Sequence, residues 1–368
     1  MRKANWIAAM VLCLMCMTLS ATVQADDVAK SAASSSNEMK SGDIKFSGYI
    51  QARYEDHQNS EDATLNSSGA VVQPNDNNIY IRRGRLKVEY QATKTSKFRI
   101  YFDGAKDDLK LLEAWIELKK KFGQVEAKAK IGQQNVPFGF EIEYSSSKRD
   151  FPERSSVERA LFPGERDRLV NLTVKPVPAL ALNVAVLNGP GISDKTFTYK
   201  SPLADRKDVV GRVRMEQKTG DVHLSGGVSA YVGKQFDKSD TLNFSTNKRR
   251  YGADAQLAAK PFPKLGQTDL RAEVMTAEEF GKHRLGYYVW LAQRLGEWFG
   301  AAVRFDSYDP DTRVEDGTKL NQVSLAGHYF FDENVKFTIA YDIRKNEEVN
   351  GIKDKADNIL TAQAQYDF

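Results

Sequence analysis

This sequence of 368 residues is poor in the side chains that most often carry covalent or metal chemistry. Its two cysteines, Cys13 and Cys16, lie near the N-terminus, so the rest of the chain can hold no disulfide, thiolate metal site or cysteine nucleophile. The histidines are not spaced as metal ligands usually are; they are His57, His223, His283 and His328. No G-x-S-x-G motif is present. We therefore expect no enzyme activity, no metal and no cofactor.

Long apolar runs and a strong charge bias are also missing. After the N-terminal segment, no stretch approaches the roughly 18 consecutive apolar residues that indicate a transmembrane helix. Lys and Arg number 53 against 49 Asp and Glu. A nucleic-acid binder usually carries a clear basic surplus, which is not found here. These absences exclude a helical membrane protein and argue against a nucleic-acid partner.

The first residues have the pattern of a secretory signal peptide. Arg2 and Lys3 form a basic start, Trp6–Leu19 is apolar, and Val23–Ala25 places small residues at the ends of a cleavage triplet. The apolar run is shorter than the roughly 20 residues that a membrane-spanning helix needs. We predict a signal peptide over residues 1–25, which is cleaved after secretion through the inner membrane. Residues 26–42, rich in Ser and Ala, are predicted to be a flexible periplasmic leader.

From residue 43 to residue 368 the apolar residues alternate with polar ones. In "DIKFSGYIQARYE" one face is apolar, whereas the other carries Lys45, Gln51, Arg53 and Glu55. Sixteen segments share this period of two, which is typical of strands with one apolar and one polar face. The connections between them alternate between long and short, with one exception around Gly281. This pattern predicts an all-β fold, a 16-stranded antiparallel transmembrane β-barrel, because such barrels pair short periplasmic turns with longer extracellular loops.

The longest connection, residues 132–166, is the third extracellular loop in this topology. Its part "SSSKRDFPERSSVERALFPGERDR" holds six basic and five acidic residues together with Phe151, Leu161 and Phe162. A solvated loop has no need of these apolar residues, and a dry core could not hold so many charges. We therefore predict that the loop folds into the barrel, packs its apolar residues on the inner wall and narrows the lumen as a constriction loop.

The polar face of the strands predicts the lining of the channel. Sixteen strands enclose a lumen that side chains cannot fill, so the apolar face has to meet lipid and the polar face has to meet water. Arg83, Arg85 and Lys87 then stack as a ladder on the inner wall. Rings of Lys and Arg favour anions. The predicted pore-lining and anion-binding residues are Arg53, Arg83, Arg85, Lys87, Arg99, Lys128 and Lys130 on the strands, with Lys148, Arg149, Arg154, Arg159 and Arg166 on the loop.

Three stretches together resemble the phosphate-selective porin O/P family of bacterial outer-membrane proteins. They are "IRRGRLKVEY", "GQQNVPFGFEIEYSSSKRDFPERSSVERALFPGERD" and the closing aromatic strand "ILTAQAQYDF". The resemblance implies a trimeric sixteen-stranded channel with a pore lined by Arg and Lys. By the motif, the pore-ladder role falls on Arg83 and Arg85. The constriction-loop role falls on the segment around Arg149, Arg154, Arg159 and Arg166.

The expected function is passive diffusion of small hydrophilic solutes through the outer membrane, with a preference for anions of the phosphate or polyphosphate type. The near balance of charges in the loop leaves open a general, non-selective porin. A barrel that sheathes a partner protein is a further alternative, which requires a lumen free of any inserted loop. The expected partners are outer-membrane lipid, the permeating solutes and two further copies of the chain in a homotrimer.

Overall fold

The computed structural model describes residues 39–58, 64–65, 71–72, 75–105, 108–192, 207–236, 245–262, 264–314, 319–346 and 358–368. The described residues from Lys40 to Phe368 belong to one unit. The predicted signal peptide and residues 26–38 of the predicted leader lie outside the described residues. Among the described residues, no helix is long and apolar enough to cross a membrane.

Sixteen antiparallel strands form a closed barrel. They are β1 (Ile44–Gln58), β4 (Asn75–Gln91), β5 (Ser96–Asp103), β6 (Lys110–Phe122), β7 (Val125–Asn135), β8 (Arg166–Val177), β9 (Leu180–Leu187), β10 (Asp208–Thr219), β11 (Val222–Phe236), β12 (Ser245–Phe262), β13 (Gly266–Glu279), β14 (Lys282–Leu295), β15 (Phe299–Asp309), β16 (Leu320–Phe330), β17 (Val335–Asn346) and β18 (Asn358–Asp367). Each of the sixteen predicted segments lies in one of these strands, so the predicted barrel is confirmed.

Three short elements of the described residues are not part of the barrel wall. The strands β2 (Thr64–Leu65) and β3 (Val71–Val72) pair with each other in the connection after β1. The helix α1 (Ser156–Leu161) belongs to the connection between β7 and β8. Because β7 continues through Asn135 and β8 begins at Arg166, that connection consists of residues 136–165.

The alternating sequence determines which side of each strand faces outward. Along β1, Ile44, Phe46 and Ile50 are exposed, whereas Gln51 and Arg53 further along the strand are buried. Successive side chains of a strand point to opposite faces of the sheet, so one apolar and one polar surface run around the whole ring. The apolar surface is the outer one, which is the arrangement of a barrel surrounded by lipid.

The first and last strands close the ring. β1 pairs with β18 from Tyr49–Asp367 to Gln58–Asn358. At the end of this ladder the backbone of Gly48 exchanges two hydrogen bonds with Phe368, of 2.9 and 3.0 Å. A Cβ on Gly48 would overlap the carbonyl oxygen of Arg85 and would lie 2.6 Å from the Phe368 ring. Only glycine therefore fits at the point where the barrel closes.

The Gly48 position gives a test of closure. Gly48→Ala is expected to reduce the folded fraction, because an extra methyl in a tightly packed position typically costs about 1–3 kcal/mol. The measurement is the share of protein that migrates as a compact, detergent-resistant band before heating. Gly211→Ala on β10 is the matched control, since no atom lies within 4 Å of its added Cβ. Equal folded fractions for the two variants would contradict this account of closure.

Candidate functional site

Residues 136–165 cross the interior of the barrel. At one end of this segment, the ring of Phe138 lies so close to Gly252 of β12 that an added Cβ would be 2.8 Å away. Further along, Glu153 pairs with Arg83 of β4 at 3.2 Å. In the ring, β4 and β12 lie on opposite sides. A segment that contacts opposite walls of a closed barrel has to pass through its lumen, and we call residues 136–165 the lumen loop.

The lumen loop is attached to β13 where it enters the barrel. The carboxylate of Glu273 accepts hydrogen bonds from the backbone N–H groups of Phe140 (3.0 Å) and Glu141 (3.2 Å). Gly139 precedes them with a φ of +59°, and a Cβ there would overlap Glu273. Glycine adopts this conformation without strain and leaves room for the carboxylate. One wall residue thus orients the start of the loop.

The tip of the loop is bound to the strands where the barrel closes. The side-chain amide of Gln365 donates to the carbonyl oxygen of Ser147 at 2.8 Å. The ammonium of Lys336 donates to the carbonyl oxygens of Ser147 at 3.2 Å and Arg149 at 3.0 Å. The hydroxyls of Tyr49 and Ser146 are also hydrogen-bonded. The tip is therefore held by β1, β17 and β18.

A single loop carboxylate gathers three arginines of the wall. Glu153 contacts Arg53 at 2.8 Å, Arg82 at 2.8 Å and Arg83 at 3.2 Å. The carbonyl oxygen of Glu153 also accepts a hydrogen bond from Arg304 at 3.0 Å. Burial raises the pKa of Glu153, but Arg83, Arg82 and Arg53 outweigh this effect and hold the pKa well below its usual value. Glu153 stays ionised and offsets one of the three positive charges that it contacts.

Helix α1 packs against β14 and β15, a different part of the wall from β1 and β4, which carry these arginines. The carboxylate of Glu141 accepts hydrogen bonds from the backbone N–H (3.0 Å) and hydroxyl (2.7 Å) of Ser155, just before the helix. The N–H of Ser156 donates to Asp306 of β15 at 3.3 Å. Val157 is fully buried, close to Gly286 of β14. The main apolar core of the molecule lies here, between the loop and the inner wall.

The loop covers one part of the inner wall and leaves another part open. Three charged side chains on β10, β12 and β15 are almost inaccessible: Arg212 and Asp254 are 3% and 1% exposed, and Arg304 is 2% exposed. On β5 and β7 the corresponding side chains reach water. The exposed fractions there are 25% for Lys97, 24% for Arg99, 31% for Lys128 and 27% for Lys130. The water-accessible side of the lumen is therefore the one formed by β5 to β7.

Five cations line this side and its edge, and we call them the open basic wall: Lys97, Arg99, Lys128 and Lys130 on β5 and β7, with Lys87 on the neighbouring strand β4. Three of them surround the ring of Trp115, with the charged group of Lys130 at 4.4 Å from its centroid, that of Arg99 at 4.8 Å and that of Lys97 at 5.6 Å. Cations over an indole ring are held by electrostatic attraction to its face. The buried ring thus fixes three positive charges side by side.

Carboxylates compensate only part of this positive charge. Arg99 pairs with Glu89 at 2.8 Å and Glu113 at 3.1 Å, while Lys130 lies 3.7 Å from Glu117. Glu113 also pairs with Arg166 of the loop end at 3.4 Å. Five cations therefore share three carboxylates, and the open side of the lumen carries a positive excess.

The predicted site residues separate into three groups. Lys87, Arg99, Lys128 and Lys130 belong to the open basic wall. Arg53, Arg83 and Arg85 point into the lumen but are engaged, Arg85 by Asp103 at 2.8 Å and by Tyr49 and Ser146 at 2.8 Å. On the loop, Lys148 and Arg159 are exposed, whereas Arg149 and Arg154 are buried. Arg166, which the sequence placed on the loop, is the first residue of β8 and is also buried.

The buried loop arginines serve different neighbours. Arg154 donates to the carbonyl oxygens of Glu141 (3.0 Å) and Ile142 (3.1 Å) and forms an ion pair with Glu165. Arg149 is buried with its Nε lacking a hydrogen-bond partner among the described residues. Whether any of these residues binds a permeating anion stays a prediction.

Sequence reasoning missed Lys97, Trp115 and Arg82. The first two have a signal in the sequence. Lys97 is two residues from Arg99 in "KFRIYFD" and Trp115 is two residues from Glu113 in "EAWIELK", so each pair shares one face of its strand. Arg82 has none. In a strict alternation Arg82 would lie on the outward face. The pairing of β1 with β4, however, shifts register between Gln51 and Ala52, and Arg82 contacts Glu153. A bulge of this kind re-aims a side chain.

A closed barrel of sixteen antiparallel strands, apolar outside and charged within, defines the class of outer-membrane channel proteins. The family model described as phosphate-selective porin O and P matches residues 58–268 and 289–368, which is most of the chain. The chain belongs to this family, and it is a porin of the outer membrane. Curated proteins include no match to its sequence.

Several solved structures share the fold. The anion-selective porin from Comamonas acidovorans superposes with a TM-score of 0.62 at 11% identity, covering 89% of this chain and 100% of that one. The outer membrane channel DcaP of Acinetobacter baumannii gives 0.60 at 13% identity, covering 90% and 99%. The trimer form of OmpT from Vibrio cholerae gives 0.59 at 12% identity, covering 89% and 100%. At these identities the likeness is one of fold.

The three-arginine contact of Glu153 can be tested by Glu153→Gln. Removing one partner of a fully buried ion pair typically costs about 3–5 kcal/mol, and the cost is smaller here because Glu153 is 24% exposed. The loop should loosen and leave Arg53, Arg82 and Arg83 without their shared carboxylate. Recordings in planar bilayers are expected to show larger current fluctuations and a stronger anion preference. Glu143→Gln is the control, because this carboxylate of the same loop is 39% exposed and lies 3.5 Å from its partner Arg214. Identical recordings from both variants would disprove the anchoring role.

Proposed function

We propose that this outer-membrane channel conducts small hydrophilic solutes passively and prefers anions, those of the phosphate and polyphosphate type included. The observation that carries the proposal is the open basic wall, where Lys87, Lys97, Arg99, Lys128 and Lys130 face the accessible side of the lumen around Trp115. The longer connections of the barrel, the lumen loop among them, then start from the extracellular end.

Confined water makes such a wall effective. Two unit charges about 4 Å apart interact by about 1 kcal/mol in bulk water and by about 4 kcal/mol at an effective dielectric constant near 20. A lumen narrowed by a loop lies between these limits. A positive excess of two charges along the path can therefore lower the barrier for an anion and raise it for a cation.

The lumen loop itself does not supply the positive excess. Residues 136–165 contain four basic residues, Lys148, Arg149, Arg154 and Arg159, against six acidic ones. Arg154 is neutralised by Glu165, and Glu153 offsets one of the positive charges of the wall arginines. We therefore assign the preference for anions to the wall of β5 to β7 and assign to the loop the narrowing of the path.

The two alternatives have less support. A sheath around a partner protein needs an empty lumen, and the contacts of the lumen loop with β4 and β12 argue against one. A catalytic role has no constellation to carry it. Among the described residues, no group of three or more His, Cys, Asp or Glu could hold a metal ion. We propose a channel without enzyme activity.

The charge of the open basic wall is tested by Lys128→Glu combined with Lys130→Glu. The local charge changes by four units, so the reversal potential across a salt gradient should move from anion preference toward cation preference. Lys120→Glu combined with Lys234→Glu is the control with the same change in net charge. Both of these lysines are exposed and lie on the outward face of their strands, two residues from exposed apolar residues. An unchanged reversal potential in the wall variant, with a folded barrel, would refute the proposed selectivity.

We also propose that the chain assembles as a homotrimer through its apolar outer faces. The trimer form of the similar OmpT barrel supports this proposal. Mass measurement in mild detergent should give three chains in each particle. Isolated single barrels at all protein concentrations would contradict it.

A further inference from the structure

One carboxylate of the lumen loop has no use in the anchoring described above. Glu158 lies on α1, is 0% exposed, and neither of its carboxylate oxygens has a hydrogen-bond partner among the described residues. A buried ionised carboxylate without a partner is strongly unfavourable, so such a group takes up a proton instead. Glu158 is therefore a titratable group enclosed in the channel.

Three charged neighbours of Glu158 are already engaged. Arg154 pairs with Glu165, Glu141 accepts the hydrogen bonds of Ser155, and Glu273 of β13 accepts those of the loop backbone. The charged and titratable groups around Glu158 and α1 are Glu141, Arg149, Arg154 and Arg159 of the loop, Glu273 of β13, Tyr288 of β14, and Arg304 and Asp306 of β15. Glu141 and Glu273 place negative charge near Glu158 and disfavour a further one.

These surroundings set the direction of the shift. Burial raises the pKa of Glu158, Arg154 opposes the effect, and Glu141 and Glu273 add to it, so the pKa stands well above its usual value. The stability that protonated Glu158 lends to the packed helix is fully present below the usual pKa of a glutamate. It is lost progressively as the pH rises from there to the raised pKa.

Helix α1 keeps its place through its contacts with the wall and the loop rather than through its own stability. It has six residues, too few for a helix that is stable by itself, since isolated helices shorter than about 12 residues are marginal in water. Val157 next to Glu158 is buried close to Gly286, and the N–H of Ser156 binds Asp306 at 3.3 Å. A charge that has to reach water would pull α1 away from these contacts.

We propose that Glu158 is a proton-operated latch, which keeps α1 packed against β14 and β15 while it is neutral and releases α1 from the wall when it ionises. This inference rests on the proposed function in that release of the helix into the lumen changes the width of the path for solutes. It adds an alkaline-sensitive state to the channel, controlled by a single carboxyl group that touches no permeating ion.

The first test compares single-channel conductance between about pH 6 and about pH 10, because the pKa of Glu158 is raised by burial. The conductance of the unaltered channel should change about twofold or more, because a helix about 10 Å across leaves the wall and enters the lumen. Glu158→Gln, which stays neutral, should keep the same conductance throughout. Glu143→Gln, which removes an exposed carboxylate of the same loop, should respond like the unaltered channel. A pH response of Glu158→Gln equal to that of the unaltered channel would overturn the latch.

The second test does not depend on conduction. Val157→Cys introduces a buried thiol into a secreted chain that otherwise has none after residue 16. Its labelling rate, divided by that of the exposed Glu143→Cys to remove the effect of thiol ionisation, should rise at least about tenfold at alkaline pH only where Glu158 is retained. A constant ratio would disprove release of α1. Absence of current together with a rising ratio would instead refute the proposed function and leave the latch standing.

Discussion

The structure depends on the requirement that no backbone polar group may face lipid without a hydrogen-bond partner. A sheet in a membrane meets this requirement only when its first and last strands pair. Here β1 and β18 do so along ten residues, and the ladder ends in the exchange of hydrogen bonds between Gly48 and Phe368. Closure in turn determines the two environments of every strand, lipid outside and water or loop inside. The alternation of apolar and polar residues follows from that division.

Closure also creates a lumen too wide for the wall side chains to fill, and the lumen loop occupies part of it. The loop brings its own apolar core and its own carboxylates into the barrel. Buried charges need partners, and here the partners come from opposite sides: Glu153 pairs with arginines of β1 and β4, while Glu273 of β13 binds the backbone of the loop. The charge-rich composition of the loop is explained by attachment to the wall.

This attachment has a consequence for the proposed selectivity. The positive charges that the loop neutralises cannot act on a passing ion at full strength, and those that it leaves untouched lie on β5 to β7. The proposed preference for anions thus arises from the part of the wall that the loop does not cover. The same loop carries Glu158, the one fully buried carboxylate for which the described residues offer no hydrogen bond. A path narrowed by such a loop is open to control through protonation.

The sequence by itself determined the number of strands, their polar and apolar faces and the inward direction of Arg83, Arg85, Lys128 and Lys130, because these depend only on a period of two and on closure in lipid. It also indicated a long loop that is both apolar and charged. Only the tertiary structure decided which lysines and arginines stay accessible. Arg99 and Arg304 both face the lumen in the alternating pattern, yet the loop covers Arg304 and leaves Arg99 open. Arg82 turns inward through a register shift that no local signal marks. Ion pairing and burial join residues far apart in the chain, such as Arg83 with Glu153 and Gly139 with Glu273, and a period along the chain cannot specify them.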